Sequence, residues 1–95
     1  MGTQYVIAWT DEAGVRRVGR LVLSTTEVVL DGTETAPPRR RAQVHADRAG
    51  ILSANVLRNG ELPAVELVTP EETFRIELVT GGRGAALALA HELSD

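Results

Sequence analysis

The chain has 95 residues, a formal net charge of −3 and no cysteine. This length fits one domain, and the missing cysteines exclude disulfides, thiolate zinc sites and cysteine nucleophiles. The acidic balance argues against nucleic acid as a partner, because proteins that bind nucleic acid usually carry a strongly basic surface. We therefore expect a single domain over residues 1–95 that depends on its own core or on an oligomer interface for stability.

Two further patterns bear on localisation. The N-terminal residues do not combine a basic region with a following apolar run, which is the pattern of a signal peptide. No apolar run in the sequence approaches the length of a membrane span. Together they predict a cytoplasmic protein, with a membrane surface as a less favoured partner.

Alternation of apolar and polar residues predicts seven strands along the chain. Their ranges are Gln4–Thr10, Val15–Ser24, Glu27–Leu30, Gln43–Asp47, Ile51–Arg58, Leu62–Thr69 and Thr73–Val79. The clearest pair is the last one, because short apolar alternations flank the polar turn at Pro70–Glu72. Asn59-Gly60 predicts a second hairpin, since both residue types tolerate a positive φ.

The first predicted strand is apolar on both faces. Tyr5, Ile7 and Trp9 lie on one face, whereas Val6 and Ala8 lie on the other. A single core covers only one face of a strand, so a second subunit or a partner strand is expected to cover the other. The sequence therefore predicts an oligomer interface that includes Tyr5, Val6, Ile7 and Trp9.

The second and third strands form a predicted hairpin over Val15–Leu30. Gly19 interrupts the second strand, and an interior glycine is typical of a bulge or a sharp bend. Asp31–Ala42 is then the longest predicted irregular segment, because it contains Gly32 and Pro37-Pro38. In the fifth strand Leu52, Ala54 and Val56 form the apolar set and Ile51, Ser53 and Asn55 form the other, and the pattern leaves open which set faces the core.

The C-terminal region predicts one helix. Gly81–Gly84 is expected to be a flexible joint, and Ala85–Leu93 follows with apolar residues at helical spacing. We expect this helix to dock on the sheet and to complete a core of the following residues: Leu21, Leu23, Val28, Leu30, Val65, Leu67, Phe74, Ile76, Leu78, Leu89 and Leu93.

The predicted fold class is mainly β with one C-terminal helix. The hairpin Gly19–Leu30, with its Gly-x-Leu-x-Leu beginning and polar Thr25-Thr26 turn, resembles that of GRAM domains in the pleckstrin-homology-like superfamily. The resemblance implies a seven-stranded antiparallel barrel or sandwich capped by an amphipathic helix. Lipid-binding members have a Lys-rich first loop, whereas the corresponding Asp11–Gly14 is acidic here.

The densest positive charge is Arg39-Arg40-Arg41 in the irregular segment. These side chains could hold a phosphate, a lipid headgroup or an acidic partner, although a run of charges is usually a solvated loop. Gly81–Gly84 lacks the lysine of a phosphate-binding loop. Glu71-Glu72 is expected to be a solvated pair.

Neither histidine predicts a metal site. His45 and His91 are far apart in sequence, and neither has the convergent ligands that a metal ion needs. We expect no cofactor, and no constellation of residues favours an enzyme. Two functions stay open: a non-catalytic protein-interaction or oligomerisation domain that acts through a sheet edge or an oligomer interface, and a binder of anionic ligands or acidic lipids that uses Arg39–Arg41.

Overall fold

A computed structural model of the protein describes residues 3–58 and 60–94. Within these residues the chain forms seven strands, a 3-10 turn at Arg48–Gly50 and one helix. The elements are β1 (Thr3–Thr10), β2 (Arg16–Leu23), β3 (Glu27–Glu34), β4 (Arg41–Asp47), β5 (Ser53–Leu57), β6 (Ala64–Val68), β7 (Thr73–Leu78) and α1 (Gly82–Leu93). All neighbouring strands are antiparallel, in the order β4-β3-β2-β1-β7-β6-β5. The sheet curls into a half-barrel, which confirms the predicted fold class.

The segment between β3 and β4 is shorter than the sequence predicts. Asp31–Glu34 belongs to β3, and Arg41 and Ala42 begin β4, so the prediction of an irregular Asp31–Ala42 is wrong. These residues are extended because β3 is paired on both sides, to β2 and to β4. Only residues 35–40 connect the two strands, with a cis peptide bond between Pro37 and Pro38.

Two predicted connections also differ in detail. Asn59, the first residue of the predicted Asn-Gly turn, lies outside the described residues, whereas Gly60 has a φ of 114°. The joint predicted at Gly81–Gly84 is wrong for its last three residues, because α1 begins at Gly82. The Ala85 amide donates to the Gly81 carbonyl at 3.3 Å, so the glycine-rich stretch is continuous with the first helical turn.

The core lies on the concave face of the sheet, where α1 packs against β5, β6 and β7. All eleven predicted core residues are buried there, together with Ile7, Trp9 and Ala86. For the fifth strand the sequence leaves the inner face open, and Leu52 of the set Leu52, Ala54 and Val56 precedes β5 and is 67% exposed. Ala54 of that set is buried and Val56 is half-buried.

Trp9 occupies the centre of this core. Its ring meets Phe74 edge-on at 5.9 Å between centroids. The Arg17 guanidinium lies 4.9 Å from the indole centroid on a face of the ring, a favourable cation–π arrangement. The indole N–H donates to the Asp31 carbonyl at 3.3 Å, which satisfies the polar atom of an otherwise apolar side chain.

Candidate functional site: the outer face and the β4 edge

The three arginines of the predicted anion site do not act as one cluster. Arg39 adopts a φ of 59° in the turn, and its amide donates to the Ala36 carbonyl at 2.9 Å. Arg41 is the first residue of β4, and its guanidinium reaches across the outer face to Asp31 on β3. Nη2 donates to Asp31 Oδ2 at 3.0 Å, and Nε donates to Oδ1 at 3.4 Å. The positive charge of Arg41 is therefore already engaged within the fold.

The Asp31 carboxylate is held in its charged form by its neighbours. The hydrogen bond from Arg41 lowers the pKa of Asp31 below its ordinary value, and the positive charges of Arg41 and Arg20 lower it further. Asp31 is buried in the sheet although it lies on the outer face. Arg39 and Arg40 are exposed, and neither side chain has a hydrogen-bonding or ionic partner among residues 3–58 and 60–94.

The predicted oligomer interface on β1 is divided between the core and the surface. Ile7 and Trp9 are fully buried within the chain's own core, so they are not available to a partner, and including them in an interface was wrong. The sheet curls over their face, which the sequence pattern of β1 does not reveal. Tyr5 is half-buried, and its hydroxyl donates to Glu92 at 3.4 Å. Only Val6, which is 50% exposed, offers apolar surface to a partner.

A shallow groove of about 400 Å³ lies on the outer face of β1, β2 and β3. Val6 and Val18 form its apolar side, and each exposes about half of its surface. Arg20, Thr33 and the Arg41–Asp31 pair form its polar side. Ala8, also on the outer face of β1, is nearly inaccessible at 1% exposed. The apolar patch formed by Val6 and Val18 is thus small and mixed with charge.

The edge of β4 presents backbone hydrogen-bonding groups that no other described strand uses. β4 pairs only with β3 among the described strands. In that pairing the Glu34 amide donates to the Arg40 carbonyl, and the Arg48 amide donates to the Thr26 carbonyl. Hydrogen-bonded residues alternate along an antiparallel strand. Consequently Ala42, Val44 and Ala46 direct their backbone groups toward β3, and the intervening residues direct theirs outward.

The β4 residues whose backbone groups point away from β3 are all polar and exposed: Arg41, Gln43, His45 and Asp47. Their side chains lie on the outer face, where His45 contacts Glu27 at 3.2 Å and Gln43 at 2.9 Å. The other edge strand, β5, has α1 packed against it, whereas β4 has no comparable cover among the described elements. The free edge of the half-barrel is therefore β4.

The remaining candidate residues are the two histidines and the Glu71-Glu72 pair. Among the described residues, no group of three or more histidine, aspartate, glutamate or cysteine side chains could hold a metal ion. Glu72 is not simply solvated, because its carboxylate accepts from the Glu12 amide at 3.1 Å. The Glu12 carboxylate in turn accepts from the Thr73 amide at 2.7 Å, so these two glutamates tie one turn to another.

No protein-family model matches this sequence, and no curated protein sequence matches it either. Among the described residues, no helix is long and apolar enough to cross a membrane. The geometry of the chain itself therefore carries the functional argument.

Proposed function

We propose that this protein is a small, non-catalytic interaction domain of the cytoplasm, which binds another polypeptide, including copies of itself, through the edge of β4. The observation that carries this proposal is the free edge: four consecutive outward-directed residues, Arg41, Gln43, His45 and Asp47, have backbone N–H and C=O groups that β3 does not use. An extended segment can add to such an edge as a further strand, with main-chain hydrogen bonds providing affinity.

The strand is suited to this role in length and in regularity. β4 has seven residues and pairs with β3 without interruption, so its outward groups are evenly aligned. It contains no proline, the residue that commonly blocks pairing at a sheet edge. Its charged outer side chains limit unspecific sheet extension and favour a partner of matching charge.

The resemblance to pleckstrin-homology-like domains is part of the proposal. Two antiparallel meanders, β1–β4 and β5–β7, joined through the β1–β7 pair and followed by one helix, support it, as does the helix lying against the last three strands. This assignment concerns the scaffold, and the interaction at β4 does not depend on it.

Site-specific cross-linking in cells of the source organism tests the proposal. A photoactivatable benzophenone amino acid replaces Asp47 at the β4 edge, and the same group replaces Ala13 in the exposed β1–β2 turn as a control. We expect a discrete cross-linked polypeptide from position 47 but not from position 13. Gln43→Pro, which removes an outward N–H, should abolish the product, whereas Gln43→Ala, which keeps that N–H, should preserve it. Equal products from both positions, or a product indifferent to Gln43→Pro, would exclude binding at this edge.

Binding of an anionic ligand is the second candidate, favoured by Arg39 and Arg40, whose side chains are exposed and have no ionic partner among the described residues. Vesicles that contain acidic phospholipid, and vesicles without it, provide the test. Salt-sensitive binding to the acidic vesicles only, lost in Arg39→Ala/Arg40→Ala, would support this function. An equal response to both vesicles would exclude acidic lipid as the ligand.

A further inference from the structure

The charges along β4 are complementary to those of a second β4 strand that runs in the opposite direction. Along the outer face the strand presents Arg41, Gln43, His45 and Asp47 in that order. If a second copy of β4 runs antiparallel with the two Val44 residues opposite each other, Arg41 faces Asp47 of the partner subunit. The two-fold relation repeats this pair at the other end, and Gln43 faces His45 of the partner subunit in between. Opposite charges in directly facing positions stabilise an antiparallel pair.

The alternating direction of the backbone N–H and C=O groups along β4 is compatible with this alignment. Only the odd-numbered residues from 41 to 47 direct their N–H and C=O groups away from β3. A second copy can pair only if these residues face one another, since facing residues exchange both hydrogen bonds. Alignment on Val44 meets this condition for all four residues. Val44 then occupies a position without hydrogen bonds to the partner, on the two-fold axis.

Other registers also place odd-numbered residues opposite one another, but they lose the pairing of opposite charges. Moving the axis to Gln43 places that residue opposite itself and Arg41 opposite His45 of the partner subunit. Moving the axis to His45 brings two histidines together and places Asp47 opposite Gln43 of the partner subunit. Alignment on Val44 is the register that pairs both charged ends of the strand.

The concave side of β4 and the residue that follows the strand are also compatible with this dimer. Ala42, Val44 and Ala46 are half-buried on the concave side, so a second copy would add small apolar neighbours to them. Beyond the strand, the Arg48 guanidinium turns away from the edge and donates to the carbonyls of Ser24 and Glu92. The pairing therefore ends with the strand itself.

We propose that the partner of the β4 edge is a second copy of this chain, in a two-fold dimer whose β4 strands pair antiparallel about Val44. The two half-barrels then share one continuous sheet, and the contact closes on itself without leaving a β4 edge for further copies. Arg41 binds Asp31 of its own chain and faces Asp47 of the partner subunit. This inference rests on the proposed use of the β4 edge and adds the identity and the register of the partner.

A charge-swap experiment tests the register. Analytical ultracentrifugation measures the purified chain, Asp47→Arg, Arg41→Glu and an equimolar mixture of the two variants. Asp47→Arg places two arginines opposite each other, and Arg41→Glu places two acids opposite each other, so each variant alone should dissociate at least about tenfold more readily. The mixture should restore the dimer, because position 41 of each chain and position 47 of the other again pair an arginine with an acid.

Backbone variants provide a second measurement if Arg41→Glu does not fold without its contact to Asp31. Gln43→Pro should give a monomer with a native circular dichroism spectrum, and Gln43→Ala should remain dimeric. Added salt should weaken the dimer of the unaltered chain.

The outcomes separate this inference from the proposed function. A strictly monomeric chain at about millimolar concentration, a range in which even weak association is populated, would overturn the dimer. If cross-linking from position 47 then captured a different polypeptide, the proposed function would stand. A dimer unchanged by Asp47→Arg and by Gln43→Pro would overturn the inference, because another surface would be responsible.

Discussion

Gly19 and Gly32 are opposite each other in the β2–β3 pair, and close packing explains both. A Cβ on Gly19 would lie 2.0 Å from the Asp31 carbonyl oxygen, and one on Gly32 would lie 2.9 Å from Trp9 Nε1. The register is continuous through Gly19, so the bulge that its sequence context suggested is absent there. Gly32 leaves room for the Trp9 indole, which donates to the Asp31 carbonyl, and Gly19 leaves room for the backbone of Asp31 and Gly32.

Replacing Gly19 with alanine should therefore destabilise the fold. The new methyl group meets backbone atoms, which cannot move aside without disturbing the β2–β3 pair, and we expect a loss of about 1–3 kcal/mol or more in the free energy of unfolding. Gly84→Ala is the matched control, because a Cβ there meets nothing within 4 Å in a helix. It should stabilise by about 0.5–1 kcal/mol. Urea denaturation measures both, and effects of the same sign would contradict this account.

At the residue scale, alternation identified eleven core residues, but it did not assign Ile7 and Trp9 to the core and did not reveal the polar contacts. Phe74, Ile76 and Leu78 follow the two-residue period of a strand, which is a local property of the sequence. The Trp9–Asp31 and Arg41–Asp31 contacts join strands that are neighbours only in the folded sheet. No local pattern marks Asp31 as a buried carboxylate, because its partners lie ten or more residues away.

At the scale of elements, pairing extends strands beyond the point where the apolar pattern ends. The pattern in β3 stops at Leu30, yet the strand continues to Glu34 because β2 and β4 bind both of its sides. α1 similarly begins at Gly82, three residues before its apolar periodicity. Backbone hydrogen bonds set these boundaries, and side-chain patterns report them only indirectly.

Arg48 joins three elements and was not identified from the sequence. From the 3-10 turn its guanidinium donates to the Ser24 carbonyl at 2.7 Å and to the Glu92 carbonyl at 2.9 Å. The first contact holds the β2–β3 turn. The second provides a positively charged donor for the C-terminal end of α1, where carbonyl groups lack helical partners.

Arg48→Ala should loosen the end of the helix. Loss of hydrogen bonds from a charged donor predicts about 1.5–3 kcal/mol of destabilisation. Amide hydrogen exchange should also accelerate in the last turn of α1 more than in the core strands. Arg83→Ala, an exposed position of the same helix, is the control and should change stability by less than about 0.5 kcal/mol. Equal effects of the two variants would show that the Arg48 contacts contribute little.

At the scale of the whole molecule, the sequence could indicate an Arg-rich loop but not the edge of the sheet. Which strand is at an edge depends on the order β4-β3-β2-β1-β7-β6-β5, and this order follows from long-range pairing of β1 with β7. The alternating polar residues of β4 would suit any half-exposed strand. The complementary charges of two antiparallel β4 strands can be recognised only once the unpaired edge of β4 is known.

The dependence of stability on acid pH should reveal the Asp31 site. The hydrogen bond from Arg41 lowers the pKa of Asp31 below its ordinary value of 3.8. Its contribution to stability is therefore present above pH 3.8 and is lost as the pH falls through the lower folded value. Asp31→Asn should be less stable than the unaltered chain at neutral pH and should show a shallower loss between about pH 5 and pH 2. Parallel pH profiles for the two proteins would argue against the charged pair.

Tyr5 should make stability depend on alkaline pH. Its contribution is lost as the pH rises, whereas that of Asp31 is lost as the pH falls. Partial burial raises the pKa of Tyr5 above its ordinary value of 10.0, and the negative charge of Glu92 and the hydrogen bond to it raise it further. The folded state thus retains the phenolic proton more strongly than the unfolded chain does. The stabilising contribution is complete below pH 10.0 and disappears as the pH rises through the folded value.

Because Tyr5 is the only tyrosine in the chain, its ionisation can be followed directly by ultraviolet absorbance. Glu92→Gln keeps an acceptor for the hydroxyl but removes the charge, so the tyrosine should titrate at a lower pH than in the unaltered chain. Tyr5→Phe should flatten the alkaline part of the stability profile while leaving the acid part unchanged, since Asp31 lies on the opposite face of the sheet. A titration unaffected by Glu92→Gln would mean that Glu92 does not control Tyr5, and the attachment of α1 to β1 would then depend on apolar packing.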